Sequence, residues 1–132
     1  MNLDKVTIFK KGDFMKKVLI VDDAAFMRAS LRKMLENIGF DIAGEAVDGA
    51  DGVRKYAALV PDIVTMDITM PNMDGIRALK EIKRLNEKAV VVMISAMGQE
   101  SHVKEAVIAG AKGFIVKPFK DETVRKTFDK LK

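Results

Sequence analysis

Residues 18–39, VLIVDDAAFMRASLRKMLENIG, decide how this chain folds. They open on four apolar residues, Val18 to Val21, mostly β-branched, the mark of a short buried strand. The run stops at Asp22-Asp23. Beyond it Met27, Leu31, Met34, Leu35 and Ile38 recur at helical spacing, and Gly39 ends the helix.

The same strand-then-helix unit returns along the chain. Asp41 to Val47 is predicted as a second strand, followed by a helix from about Ala50 to Leu59 that Pro61 terminates. Ile63 to Met66 forms a third strand that stops at Asp67, and Asp74 caps a helix with Ile76, Leu79, Ile82 and Leu85 on its inner face. The unbroken apolar run Ala89 to Ile94 reads as a central strand buried on both faces. Val103, Ala106 and Val107 give a fourth helix its inner face, with Gly110 ending it. Gly113 to Val116 is the fifth strand, and Val124, Phe128 and Leu131 line the last helix.

Five units in strict alternation imply an α/β fold: a doubly wound, parallel five-stranded sheet, (βα)5, with helices on both faces. In such sheets the ligand site lies beyond the carboxyl ends of the strands. That rule selects Asp22 and Asp23, Asp67, Ser95, and Lys117. Four of five strands thus end in groups suited to metal or phosphate.

The totals agree with one domain. The chain has 132 residues, 48% hydrophobic, enough for a single core but not for two. Charged residues, 32% of the chain, are dispersed, and no apolar run approaches the roughly 20 residues of a membrane span. No leader with a cleavage site opens the chain, and the absence of cysteine excludes disulfides and thiolate metal sites; a cytoplasmic protein is expected. The net charge of +4 comes from scattered lysines and arginines without interleaved aromatics, so no nucleic-acid platform is expected. Residues 15–132 carry the pattern. Residues 1–14, MNLDKVTIFKKGDF, fall outside it and stay open between a short extra strand (Val6 to Phe9), an unstructured tail and a translation artefact. The codons for Lys11 to Phe14 can form a purine-rich ribosome-binding stretch upstream of Met15, which would then be the natural start.

Asp22, Asp23 and Asp67 converge in this fold. Packing three like charges together is unfavourable unless a cation neutralises them or some are protonated. Hard oxygen ligands with room for water suit Mg²⁺ better than zinc or copper. The plainer reading makes Asp22 or Asp23 a cap for the helix beginning near Ala24; it suits one of them, not the set. Lys117, held extended by Pro118, can pair with a carboxylate or with phosphoryl oxygens, and the Ser95 hydroxyl can hydrogen-bond an oxyanion. An ionised aspartate is already nucleophilic, so an aspartyl-phosphate forms without a general base. His102 falls on the fourth helix, away from these groups, and reads as surface or partner-facing.

Four stretches, VLIVDDAAFMR, DIVTMDITMPNMDGI, MISAMGQE and GAKGFIVKPF, stand in the order and spacing of a known family. The chain resembles the response regulator receiver domain, over Lys16 to about Leu131 and within its chemotaxis branch. The resemblance implies strand order 2-1-3-4-5 in a flavodoxin-like sheet. It also implies that Asp67 is the phosphoacceptor and that Mg²⁺ is held by Asp22, Asp23, Asp67 and the Thr69 backbone carbonyl, Asp22 mostly through water. Lys117 and Ser95 would contact the phosphoryl oxygens. The donor would be a CheA-like histidine kinase, and the target a protein such as the flagellar motor switch; a separate phosphatase is also in keeping. The protein would be a monomeric signalling phosphoacceptor, acting as an enzyme only on itself. Ser95 and Phe114 would form the switch, although from the residues alone Phe114 is a core aromatic. Phe114 replaces the tyrosine common in enteric members. Thr69 and Met97 occupy the positions that tune dephosphorylation and lack an amide or carboxylate to steer water, so a different phosphoryl lifetime is expected. Two further readings share these motifs: an intermediate in a sporulation-type phosphorelay, and a receiver fragment of a larger regulator. A haloacid-dehalogenase-type phosphatase is disfavoured because Asp22-Asp23-Ala24 is not its DxD nucleophile.

Overall fold

The computed structural model describes residues 15–99 and 101–132; the readings of residues 1–14 lie outside them. The elements alternate as β1 (Lys17–Val21), α1 (Ala25–Asn37), β2 (Asp41–Ala46), α2 (Gly49–Leu59), β3 (Ile63–Asp67), α3 (Gly75–Leu85), β4 (Val91–Ala96), α4 (Ser101–Ile108), β5 (Gly113–Lys117) and α5 (Asp121–Asp129). All strand pairings are parallel, and the sheet order is β2-β1-β3-β4-β5.

The two-residue period of the strands sorts the core into two layers. Val18, Ile20, Ile63, Val92, Ile94 and Ile115 face α1 and α5, where they meet Leu31, Leu35, Val124 and Phe128. Leu19, Val21, Val64, Met66, Val91 and Met93 face α2, α3 and α4 through Tyr56, Ile76, Leu79, Ile82 and Ala106. Burial on both faces explains why β3 and β4 read as near-continuous apolar runs. Phe40 closes the first layer at the lower end, its ring edge-on to Phe128 at 5.3 Å. Arg28 and Arg32 both bind Glu45 at 2.8–3.0 Å and tie α1 to edge strand β2.

The chain runs outward from β1 to β2, then returns across β1 to β3. The carboxyl ends of β1 and β3 therefore lie side by side where the winding reverses, the place where such sheets bind ligands.

Several local expectations need correction. Neither Asp22 nor Asp23 caps α1: its N-cap is Ala24, without a side-chain cap bond. Leu85 and Val107, expected on inner faces, are exposed in the last turns of α3 and α4, where Ile82 and Ala106 are the buried residues. The fourth strand begins at Val91 rather than Ala89 and runs on to Ala96, and the fifth includes Lys117. Asp74 does cap α3, accepting the Arg77 N–H at 2.9 Å. Asp48 caps α2 in the same way through the Asp51 N–H at 2.7 Å. The sequence reading did not use that second cap.

Gly75 fixes the distance between α3 and the end of β3. Its N–H donates to the Ile68 carbonyl at 2.7 Å, and a Cβ there would overlap the carbonyl oxygen of Asp67. Because the obstacle is backbone, relief requires moving the strand end itself. Gly75→Ala is therefore expected to lose about 1–3 kcal/mol of stability, by the cost of overpacking, measured by urea unfolding.

Candidate functional site

Four of the five strands deliver polar groups to the same rim. Asp22 and Asp23 follow β1, Asp67 is the last residue of β3, Ser95 sits near the end of β4, and Lys117 ends β5. Asp22, Asp67 and Ser95 are 5%, 6% and 2% exposed, whereas Asp23 is open to solvent. These burials are unusual for polar groups and mark a built site rather than a solvated edge. One oxygen from each of Asp22, Asp23 and Asp67 lies within 4.8 Å of the others.

Lys117 crosses beneath the carboxylates. Its Nζ donates to Asp22 Oδ2 at 2.9 Å and lies 3.4 Å from Asp67 Oδ1. The Lys117–Pro118 peptide is cis. Asp22 Oδ1 accepts the Ala24 N–H at 2.9 Å, so both Asp22 oxygens are occupied. Among the described residues nothing pairs with the Asp23 carboxylate. Arg28 donates to the Asp22 backbone carbonyl at 2.8 Å and steadies the turn after β1.

One cation does not balance two buried carboxylates with a third, solvent-facing one beside them. Burial pushes the Asp67 carboxyl up to about 6, Asp22 and Asp23 add to the rise, and Lys117 only partly opposes it. For Lys117, burial works against the ammonium, but its bond to Asp22 and the charges of Asp67 and Asp22 prevail, so its pKa is raised.

The donor set fits a Mg²⁺ ion. It is all oxygen, and Mg²⁺–O bonds of roughly 2.1 Å let two ligands of one octahedron stand roughly 4 Å apart. Adjacent ligands stand only roughly 3 Å apart, so the clustered oxygens, within 4.8 Å of one another, suit an ion held partly through water.

Thr69 and Met97 are exposed on the loops after β3 and β4. The Thr69 hydroxyl is not idle: it accepts a hydrogen bond from Gln99 Nε2 at 2.5 Å. The sequence reading missed Gln99, whose amide joins the loops that carry positions 69 and 97. Its place one residue beyond the Met97-Gly98 turn was the available signal. Phe114 is half-buried against the α2/α3/α4 layer. It pairs in register with Met93, which shares a sheet face with Ser95 two residues on. His102 lies in α4 at a cleft of about 440 Å³ that it shares with Thr69, Arg77, Lys80 and Glu105, and that Asp22, Asp23 and Asp67 do not line.

The family model described as response regulator receiver domain matches residues 18–129. The chain is 53% identical over 116 residues to the chemotaxis protein CheY of Thermotoga maritima, covering 88% of this chain and 97% of that one. It is 54% identical over 114 residues to CheY of Bacillus subtilis, covering 86% and 95%. Among solved structures, the CheX–CheY–BeF3–Mg²⁺ complex from Borrelia burgdorferi contains a chain that aligns with TM-score 0.85 and 40% identity, covering 92% of this chain and 98% of that one.

The raised Asp67 value sets a pH dependence. The folded protein binds this proton more tightly than the unfolded chain, whose ordinary value is 3.8. Stability from the protonated group is full below that value and is lost as pH rises through about 6. Without divalent cations, Asp67→Asn is expected to be more stable than the parent at pH 7, by about 1–3 kcal/mol. The gap should close near pH 4 in urea-unfolding curves.

Proposed function

The chain belongs to the response regulator receiver domain family, and on that premise we propose that Asp67 accepts a phosphoryl group from a CheA-like histidine kinase. The observation that carries this reading is the buried Asp67 carboxylate, facing Lys117 and sharing a rim with Asp22 and Asp23. The protein is a CheY-like receiver, in keeping with a chemotaxis response regulator.

Asp67 attacks phosphorus in line with the leaving histidine nitrogen; the O–P bond forms as the N–P bond breaks, and the imidazole keeps the bonding pair. The residues that would hold Mg²⁺ are Asp23 and Asp67 directly, the Thr69 carbonyl, and Asp22 through water, since both Asp22 oxygens are already engaged. A bound Mg²⁺ supplies charge neutralisation for the carboxylates and the phosphoryl oxygens. Lys117 is 3.4 Å from Asp67 and positioned to follow the new charge; Ser95, buried near the end of β4, offers a hydroxyl to another oxygen. No residue here needs to act as a general base, because Asp67 is ionised above about pH 6 even before a cation binds.

The modification adds nearly two negative charges at one point. Ser95, drawn toward them, carries the loop after β4 with it. Phe114, on the same sheet face beside Met93, then turns inward, and the surface of α4, β5 and α5 changes shape. That surface is read by a target protein such as the flagellar motor switch, and the signal ends by self-dephosphorylation or a separate phosphatase. The protein works as a cytoplasmic monomer, and its own phosphorylation chemistry is the extent of its catalysis.

Incubation with acetyl phosphate and Mg²⁺ is expected to add one phosphoryl mass to Asp67, and Asp67→Asn to add none; an unmodified Asp67 in the parent overturns the assignment. Decay of the phosphorylated form is expected to differ among the parent, Thr69→Asn and Met97→Glu, measured by loss of that mass. Phe114 ring resonances are expected to shift on saturation with beryllofluoride and Mg²⁺, and an unchanged ring environment removes it from the switch.

A further inference from the structure

The loops that bracket the acidic rim are joined by one side chain. Residues 96 to 99 form a tight turn: the Gln99 N–H reaches the Ala96 carbonyl at 3.3 Å, and Gly98 takes φ +90°. The turn folds the Gln99 side chain back over its own start. Gln99 Oε1 accepts the Ala96 N–H at 2.8 Å, while Nε2 donates to Thr69 Oγ1 at 2.5 Å. The Gln99 carbonyl accepts the His102 N–H at 2.9 Å, so the same residue also anchors the start of α4. Gln99 is half-buried, between the exposed turn and the β3–α3 loop.

This bridge spans the two loops that a phosphoryl group must part or enter. Ala96 follows the buried Ser95 directly, and Thr69 lies two residues beyond Asp67. We propose that Gln99 is a positioning residue that latches the β4–α4 loop to the β3–α3 loop in the unmodified protein, and that its amide is displaced when Asp67 carries a phosphoryl group. The inference rests on the phosphoacceptor reading of Asp67. Phosphoryl oxygens are charged acceptors and outcompete a neutral amide carbonyl for nearby N–H and O–H donors. Releasing the amide frees Ala96, and with it Ser95 and the first turn of α4, so opening the latch is the step that lets the loop move. The resting latch opposes activation, because each bond must be given up before the loop rearranges.

The test uses the whole chain with beryllofluoride and Mg²⁺ as the phosphoryl mimic. In the parent, the Gln99 side-chain NH2 and Ala96 N–H resonances are both expected to move on saturation, the former toward the position of a free amide. Gln99→Leu, which deletes both bonds while keeping the size of the side chain, is expected to bind beryllofluoride about three- to tenfold tighter and to take up phosphate from acetyl phosphate faster. Thr69→Val, which removes half the bridge, should fall between. A merely structural role predicts the opposite sign: a lower melting temperature with equal or weaker beryllofluoride binding by Gln99→Leu. That result, or a Gln99 NH2 signal unmoved in the saturated parent, overturns the latch. Failure of the parent to bind beryllofluoride at all instead overturns the assignment of Asp67.

Discussion

Three carboxylates and one ammonium share the carboxyl rim of the sheet, and the excess of negative charge there governs the rest of the molecule. Asp22 and Asp67 are nearly excluded from water, and Lys117 touches both. Charges held this way are costly, because burial removes solvation that one cation does not replace. The cost appears as the raised Asp67 pKa. A site with unbalanced negative charge favours a divalent cation, and in the proposed function that cation is what would let the rim accept a phosphoryl group.

The fold puts those groups together by winding rather than by local sequence. Asp22 and Asp67 are far apart in the chain but adjacent in space, because β1 and β3 are hydrogen-bonded neighbours at the point where strand order reverses. Lys117 arrives from β5 across the width of β4. The contact of Gly75 with the Asp67 backbone shows how tightly the rim is held from below: α3 presses on the strand end with no room for one methyl group.

This organisation was legible in the sequence because strands buried on both faces announce themselves as apolar runs, and their ends are visible wherever a polar or charged residue interrupts them. Asp22, Asp67, Ser95 and Lys117 were all found that way. Leu85 and Val107 misled because periodicity marks a helix face but does not say how far along the helix that face stays covered. The capping role considered for Asp22 failed because both its oxygens are taken, one by Lys117 from across the sheet and one by the Ala24 N–H. The Gln99 bridge escaped for the same reason. It joins two loops through a side chain that folds back over a turn, and no spacing rule registers a contact between residues 69 and 99. Strand ends are local facts; the hydrogen bonds between loops are not.

Calorimetric titration of the unmodified protein with Mg²⁺ at pH 7 examines the charge surplus directly. A single saturable site is expected, greatly weakened in Asp23→Asn, with protons released on binding to the fraction of Asp67 still protonated. A parent protein that shows no saturable Mg²⁺ uptake, or an Asp23→Asn variant that binds as well as the parent, would contradict the view that these carboxylates are gathered to hold one ion.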